Sequence, residues 1–285
     1  MRWEGRRQSE NVEDRRSVGQ QVVVGGGLLT LLFMIVLMFL GVDPMKALQV
    51  APDAAGPAGR QEQAGKPIDD EIGRFIKTIA ADNEDVWAKL FPKVFKRRFT
   101  PPKLVMFTGR VRSGCGLADA GAGPFYCPLD RTVYIDPAFY NELSHRFEAP
   151  GDFAQAYVIA HEVGHHVQNL LGISNEVQSR RPRMSEAEYN KLSVRMELQA
   201  DFLAGVWAHY MAKYAQNISE ADIREAVTAA EQIGDDKIQT RMQGYVEPHK
   251  FTHGTSEQRV RWFLYGLKTG DPTRMDEAFD FNADP

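Results

Sequence analysis

The 285-residue sequence has few cysteines and little net charge. Two cysteines are too few for a disulfide-based scaffold, although they suffice for one bridge in an oxidising compartment. A formal net charge of -4 provides no general attraction to polyphosphate, and without a large basic cluster the sequence predicts no nucleic-acid binding. No internal repeat is present, which excludes a solenoid. The remaining composition, 43% hydrophobic and 25% charged, is typical of a globular protein.

Charged residues are also absent between Arg16 and Asp43, and this absence coincides with a long apolar run. Residues 22–42 are long enough to cross a bilayer core as a helix, so we predict a transmembrane helix there. A cleaved signal peptide is the alternative, but the run is long for one and no small-residue cleavage site follows it.

The flanking basic residues predict the orientation of this run. Five arginines precede it and two basic residues follow it within about twenty positions, so we expect residues 1–21 to form a cytoplasmic tail. Residues 43–67 are rich in Ala, Gly, Pro and Gln, which predicts a linker. One folded domain, residues 68–285, is then expected outside the cytoplasm, anchored in the lipid bilayer by a single pass.

Apolar periodicity predicts a mainly helical α+β domain with a small sheet. Two helices are expected over residues 68–91, with a break at Asp82 and Asn83, and further helices from 136 towards 147 and from 151 to 171. Capping-box patterns predict later helix starts at Ser185, Ser219 and Thr255. Strands are predicted at 103–108, 125–127 and 132–135, and the polar stretch 174–186 is predicted as a solvated loop.

The sequence His161-Glu162-Val163-Gly164-His165 lies inside one of these predicted helices. Histidines four residues apart share a helix face, so both imidazoles can reach one zinc ion. Glu162 lies on the adjacent side, where it can take a proton from an attacking water. We therefore predict zinc ligands at His161 and His165 and a general base at Glu162. The alternative is a pair of solvated histidines beside an ordinary surface glutamate.

A catalytic zinc with three protein ligands needs one more residue. A third histidine six residues after His165 is excluded, because that position is Leu171. Glu197 is the better candidate, and Asp201, one turn later, can accept a hydrogen bond from a ligand histidine. The alternative is a solvated helix face, which the apolar neighbours of these carboxylates, such as Phe202, disfavour.

Several segments together resemble a family of bacterial neutral zinc metallopeptidases. They are MRWEGRRQS and NVEDRR at the start, SGCG, GPFYCPLD and VYID in the middle, and HEVGHHVQ, ELQADFLAGVW and HGTSEQR later. The resemblance covers nearly the whole chain. It implies a gluzincin-like site, HExxH plus a downstream Glu, in a zincin-like domain of a bacterial metallopeptidase. Together with the predicted anchor, we expect a protein of the bacterial inner membrane with one zinc per chain, which hydrolyses peptide or protein substrates. The resemblance also implies that substrate pairs with a strand edge, for which we expect residues 133–135.

The segment around His253 is similar to the HPxxxxR element of related membrane gluzincins, with Gly254 in place of the proline. This similarity predicts His253 or Arg259 as a donor to the transition-state oxyanion. The alternatives are a loop or helix-cap histidine and a structural ion pair of Arg259. His166 is assigned to packing or to the surface.

Cys115 and Cys127 lie in a Gly-rich segment between predicted strands. We predict a disulfide that pins a hairpin and contributes about 2–3 kcal/mol. Reduced thiols or a second metal site are the alternatives. For the whole protein, the competing hypothesis is a membrane-tethered, zinc-containing binding or scaffold protein without turnover.

Overall fold

The fold combines a small mixed sheet with a larger set of helices. The computed structural model describes residues 1–16, 69–119, 121, 123–215, 218–280 and 282. The predicted transmembrane helix at 22–42 and the linker at 43–67 lie outside these residues. None of the helices in the described ranges is both long and apolar enough to cross a membrane.

The element order confirms a mainly helical α+β chain. The helices are α1 (Glu71–Phe95), α2 (Ala138–His145), α3 (Asp152–Leu171), α4 (Ile173–Arg180), α5 (Glu186–Tyr210), α6 (Glu220–Gln232), α7 (Asp235–Gln243) and α8 (Ser256–Thr269). The strands are β1 (Val12–Asp14), β2 (Lys103–Met106), β3 (Arg110–Ser113), β4 (Gly116–Asp119), β5 (Phe125–Cys127) and β6 (Thr132–Ile135).

Local sequence accounts for most helix ends. Ser185, Ser219 and Thr255 each form the predicted capping box, in which the hydroxyl and the third residue satisfy free N–H groups reciprocally. Gly172 ends α3 in the left-handed conformation, as expected for a glycine cap.

Two local predictions were wrong. Residues 71–95 form one helix, because Asp82 accepts from Arg6 at 2.6 Å and the Asn83 side chain donates to the Ile79 carbonyl at 3.0 Å. Both side chains thus make hydrogen bonds without ending the helix. The stretch 174–186 also contains helix α4 rather than only loop.

The sheet has the strand order β1-β2-β6-β5. β1, β2 and β6 are parallel, whereas β5 runs antiparallel to β6. The prediction that residues 133–135 form a free edge was therefore wrong, because β6 is paired on both sides. Among the strands of the described residues, the free edge nearest α3 belongs to β5 instead.

The structure contains the predicted disulfide. Cys115, in the turn of the β3–β4 hairpin, is bonded to Cys127 at the end of β5, with the two Cα atoms 5.8 Å apart. The pairing of the two cysteines is confirmed, but the bond ties a hairpin that the sequence did not predict, β3–β4, to the edge strand β5.

Residues 1–16 are part of the folded unit. β1 pairs with β2, and the Trp3 ring is buried against Phe75, with ring centroids 5.5 Å apart. Arg16 forms ion pairs with Asp14 at 2.7 Å and with Asp70 at 2.8 Å. The prediction that the folded unit begins only at residue 68 was therefore wrong.

This packing conflicts with the prediction that a membrane separates residues 1–21 from the folded domain. A single crossing by residues 22–42 would place residues 1–16 and 69–280 on opposite sides of a bilayer, whereas β1 and β2 form one sheet. The described residues on either side of the apolar run thus belong to one sheet, which a single crossing by that run does not explain.

Cysteine labelling in cells tests the arrangement. We expect Glu4→Cys and Arg97→Cys, both at exposed positions, to be labelled to the same extent as each other by a membrane-impermeant maleimide. This should hold in intact cells and again after cell lysis. The native cysteines are disulfide-bonded and so provide an unreactive background. Labelling of one position only after lysis would show that residues 1–16 are not docked in the cell.

Candidate metal centre

The candidate centre lies between the middle of α3 and the middle of α5. α3 carries His161, Glu162 and His165, and α5 carries Glu197. The two helices approach closely at Gly164, where a Cβ atom would lie 3.0 Å from the carbonyl oxygen of Ala200. A larger residue would push the helices apart, so this glycine keeps the histidines near the carboxylate.

Three candidate ligands converge at one point. His161 Nε2 lies 3.1 Å from Glu197 Oε2, and His165 Nε2 lies 3.4 Å from Glu197 Oε1. One donor atom from each of the three residues lies within 4.8 Å of the others. Ligand atoms on a tetrahedral zinc, with bonds of about 2.1 Å, are about 3.4 Å apart. The donor types and their spacing therefore fit a zinc ion.

The outer nitrogens of both imidazoles are occupied. His161 Nδ1 donates to Asp201 at 2.8 Å, and His165 Nδ1 donates to the Gln168 amide oxygen at 2.8 Å. These partners place the hydrogen on Nδ1, so each Nε2 presents a lone pair to the shared point. Gln168 is itself held by a hydrogen bond to the Met196 carbonyl at 2.7 Å. Gln168 had not been identified from the sequence, although it lies only one turn after His165.

The centre favours positive charge. Burial alone would lower the pKa of His161, but Asp201 and Glu197 raise it to about 10. Burial would likewise raise the pKa of Glu197, but the neighbouring histidines, His165 first, hold it well below its usual value. Carboxylates that stabilise imidazolium in this way also stabilise a bound cation.

Asp201 is fully buried and joins the centre to the rest of the core. It accepts from Arg259 Nε at 2.9 Å and from the Tyr157 hydroxyl at 2.5 Å, in addition to His161. Arg259 also donates to the Ile233 carbonyl at 3.2 Å. The structure thus favours the ion-pair interpretation of Arg259 over an oxyanion donor. Tyr157 had not been identified from the sequence.

Loss of Arg259 should strongly destabilise the fold. Arg259→Met leaves the Asp201 carboxylate buried without its main cation, which typically lowers the free energy of unfolding by about 3–5 kcal/mol. Urea denaturation measures the change. Arg224→Met is the control, because Arg224 is 71% exposed and its pair with Glu220 should contribute less than about 1 kcal/mol. Equal stability of both variants would contradict the proposed importance of the buried pair.

A cleft of about 550 Å³ opens beside the cluster. Glu162 lines it and is only 7% exposed, and this burial raises the pKa of its carboxyl group. His161, His165 and Glu197 line the same cleft. The predicted base and the candidate ligands therefore face one space that can hold a substrate.

His253 reaches this cleft from a loop before α8. Asp235 fixes the loop by accepting from the main-chain N–H groups of Thr252, His253 and Gly254 at 2.7, 2.6 and 3.0 Å. Its second oxygen lies 3.2 Å from His253 Nδ1. Burial would raise the pKa of Asp235, but the hydrogen bonds from His253 and the main chain lower it. Asp235 had not been identified from the sequence, since it is 18 residues from His253.

His166 anchors the edge strand β5. It is fully buried, its Nε2 donates to the Thr100 carbonyl at 2.7 Å, and its Nδ1 accepts from the Tyr126 hydroxyl at 2.9 Å. Burial lowers the pKa of His166 to about 4, so the ring is neutral near pH 7. Asn169 donates to the same hydroxyl at 2.8 Å. Of the two expectations for His166, packing agrees with the structure and a surface position does not.

Comparisons with known proteins match the chain to one family. A family described as "Putative neutral zinc metallopeptidase" matches residues 1–278. The chain is 46% identical to the uncharacterized protein YpfJ of Escherichia coli K12, over 97% of this chain and 98% of that protein. It is 39% identical to the uncharacterized protein Rv2575 of Mycobacterium tuberculosis H37Rv, over 84% of each chain. No solved structure matches the chain significantly.

Proposed function

Because the chain belongs to this family of zinc metallopeptidases, we propose that it hydrolyses peptide bonds at a centre formed by His161, His165 and Glu197. The observation that carries the proposal is the convergence of two imidazole Nε2 atoms and one carboxylate beside the buried Glu162. A structural zinc site has four protein ligands. It would need neither a neighbouring base such as Glu162 nor an adjoining cleft.

The chain's own residues supply the proton transfers. When bound, zinc would polarise the scissile carbonyl and acidify water. Glu162 takes the proton of the attacking water and passes it to the leaving nitrogen. His253, which lines the cleft and whose Nδ1 lies 3.2 Å from Asp235, would donate from Nε2 to the developing oxyanion.

The free edge of β5 would bind an extended substrate. A peptide can pair its main chain with an unpaired strand edge, and β5 contributes Phe125 and Tyr126 to the cleft wall. The hydrogen bonds of Tyr126 to His166 and Asn169 hold this edge against α3. Binding at β5 replaces the expectation that β6 receives the substrate.

Metal content and cleavage together test the proposal. Purified full-length protein should contain about one zinc per chain, measured by elemental mass spectrometry, and should cleave an unstructured polypeptide in a chelator-sensitive way. One zinc per chain without cleavage would support the alternative, a zinc-containing scaffold. Attachment to a membrane through residues 22–42 stays a prediction from the sequence.

A further inference from the structure

Apolar side chains from several segments line the same cleft as the candidate metal centre. We call them the apolar wall, which consists of Phe139, Phe147, Ile233, Ile238 and Met242. Phe139 belongs to α2 and Ile238 and Met242 belong to α7. The other two residues follow α2 and α6 in the chain. The wall therefore depends on the packing of elements that are distant in sequence.

The parts of the wall meet directly. The rings of Phe139 and Phe147 lie 6.5 Å apart, and the Arg241 guanidinium of α7 lies 5.4 Å from the centre of the Phe147 ring. Ile238 and Met242 are four residues apart and so share one face of α7. Phe147 thus contacts both Phe139 of α2 and Arg241 of α7.

The apolar wall is exposed to solvent at its rim. Met242 is 75% exposed, while Phe139 and Phe147 are half-buried. Apolar groups beside a polar cluster are typical of a binding groove. A ligand that covers them removes apolar surface from water, which favours binding. Met is also flexible enough to fit side chains of different shape.

The charged groups nearby do not favour a charged ligand side chain. Glu142 and Arg146, which also line the cleft, form an ion pair at 3.6 Å. A charged side chain would meet both signs of charge there. It would also lose hydration against the apolar wall without gaining a partner.

We propose that the apolar wall binds a bulky apolar side chain of the substrate beside the scissile bond, so that the substrates are polypeptides with Phe, Leu, Ile or Met at that position. The inference rests on the proposed peptidase function, because it assigns the wall to the same cleft as Glu162. The wall selects the substrate through burial of apolar surface, and the metal centre performs the reaction.

Matched peptides test the preference. With zinc-loaded full-length protein, a peptide library identifies the cleaved bond, and peptides that differ only in Phe or Ser beside it are then compared. We expect kcat/KM at least tenfold higher for the Phe peptide. In the Glu162→Gln protein, which should bind without cleaving, the Phe peptide should also have the lower Kd.

Two variants locate the preference on the wall. Met242→Asp, at an exposed position, should lower kcat/KM for the Phe peptide at least fivefold and reduce the Phe-to-Ser ratio. Leu264→Asp is the control, since Leu264 is 39% exposed on α8 outside the cleft, and it should leave both values within twofold. Ile238→Ala is a second, milder change in the wall, with the same expected direction.

The outcomes separate this inference from the proposed function. Cleavage of both peptides at equal rates, or an unchanged ratio in both wall variants, would overturn the role of the wall and leave the peptidase function intact. Absence of cleavage of every peptide by zinc-loaded wild-type protein would overturn the peptidase function itself.

Discussion

The Glu162→Gln protein should bind zinc as the wild type does and cleave peptides about 10³-fold more slowly. Glutamine keeps the size and polarity of the side chain but cannot accept the proton of the attacking water. Glu162 is not among the three converging donor residues, so the metal should remain bound. Elemental mass spectrometry and peptide cleavage measure the two properties on the same sample.

Glu10→Gln is the matched control, because Glu10 is exposed and lies outside the cleft. Its cleavage rate and zinc content should equal those of the wild type. Full activity in the Glu162→Gln protein would remove Glu162 as the general base, and loss of zinc would instead show that Glu162 supports the metal site.

The Glu197→Ala protein should lose most of its zinc. Even changes in residues that only orient ligands weaken metal binding by about 10–100-fold, so removal of a ligand should weaken it at least about 100-fold. Glu197 is also the carboxylate that contacts both histidines, at 3.1 and 3.4 Å. Its loss therefore removes a donor atom and a negative charge from the site together. Titration against a chelator of known affinity measures the change.

Glu186→Ala provides the control on the same helix, because Glu186 is exposed in the first turn of α5. It should retain the zinc affinity of the wild type. Unchanged zinc binding in the Glu197→Ala protein would assign the third ligand to another residue. Wild-type protein that binds no zinc would contradict the metallopeptidase proposal as a whole.

The local part of the site follows from short-range geometry. Because α-helical spacing places residues four apart on one face, the positions of His161 and His165 in the sequence were enough to predict their common side. The same holds for the helix starts at Ser185, Ser219 and Thr255, where a side chain caps its own helix. Glu197 and Asp201 were found because a catalytic zinc needs a third protein ligand and because their apolar neighbours disfavour a solvated helix face.

The sequence by itself therefore determined the α+β class, the helix that carries the two histidines and the candidate ligand set. Only the tertiary structure decided which strand has a free edge, that residues 1–16 join the sheet, and which partners hold the site. Arg259 reaches Asp201 across 58 residues, and Asp235 holds the His253 loop across 18. Such contacts depend on how whole elements pack, and no periodicity within a single segment encodes that arrangement.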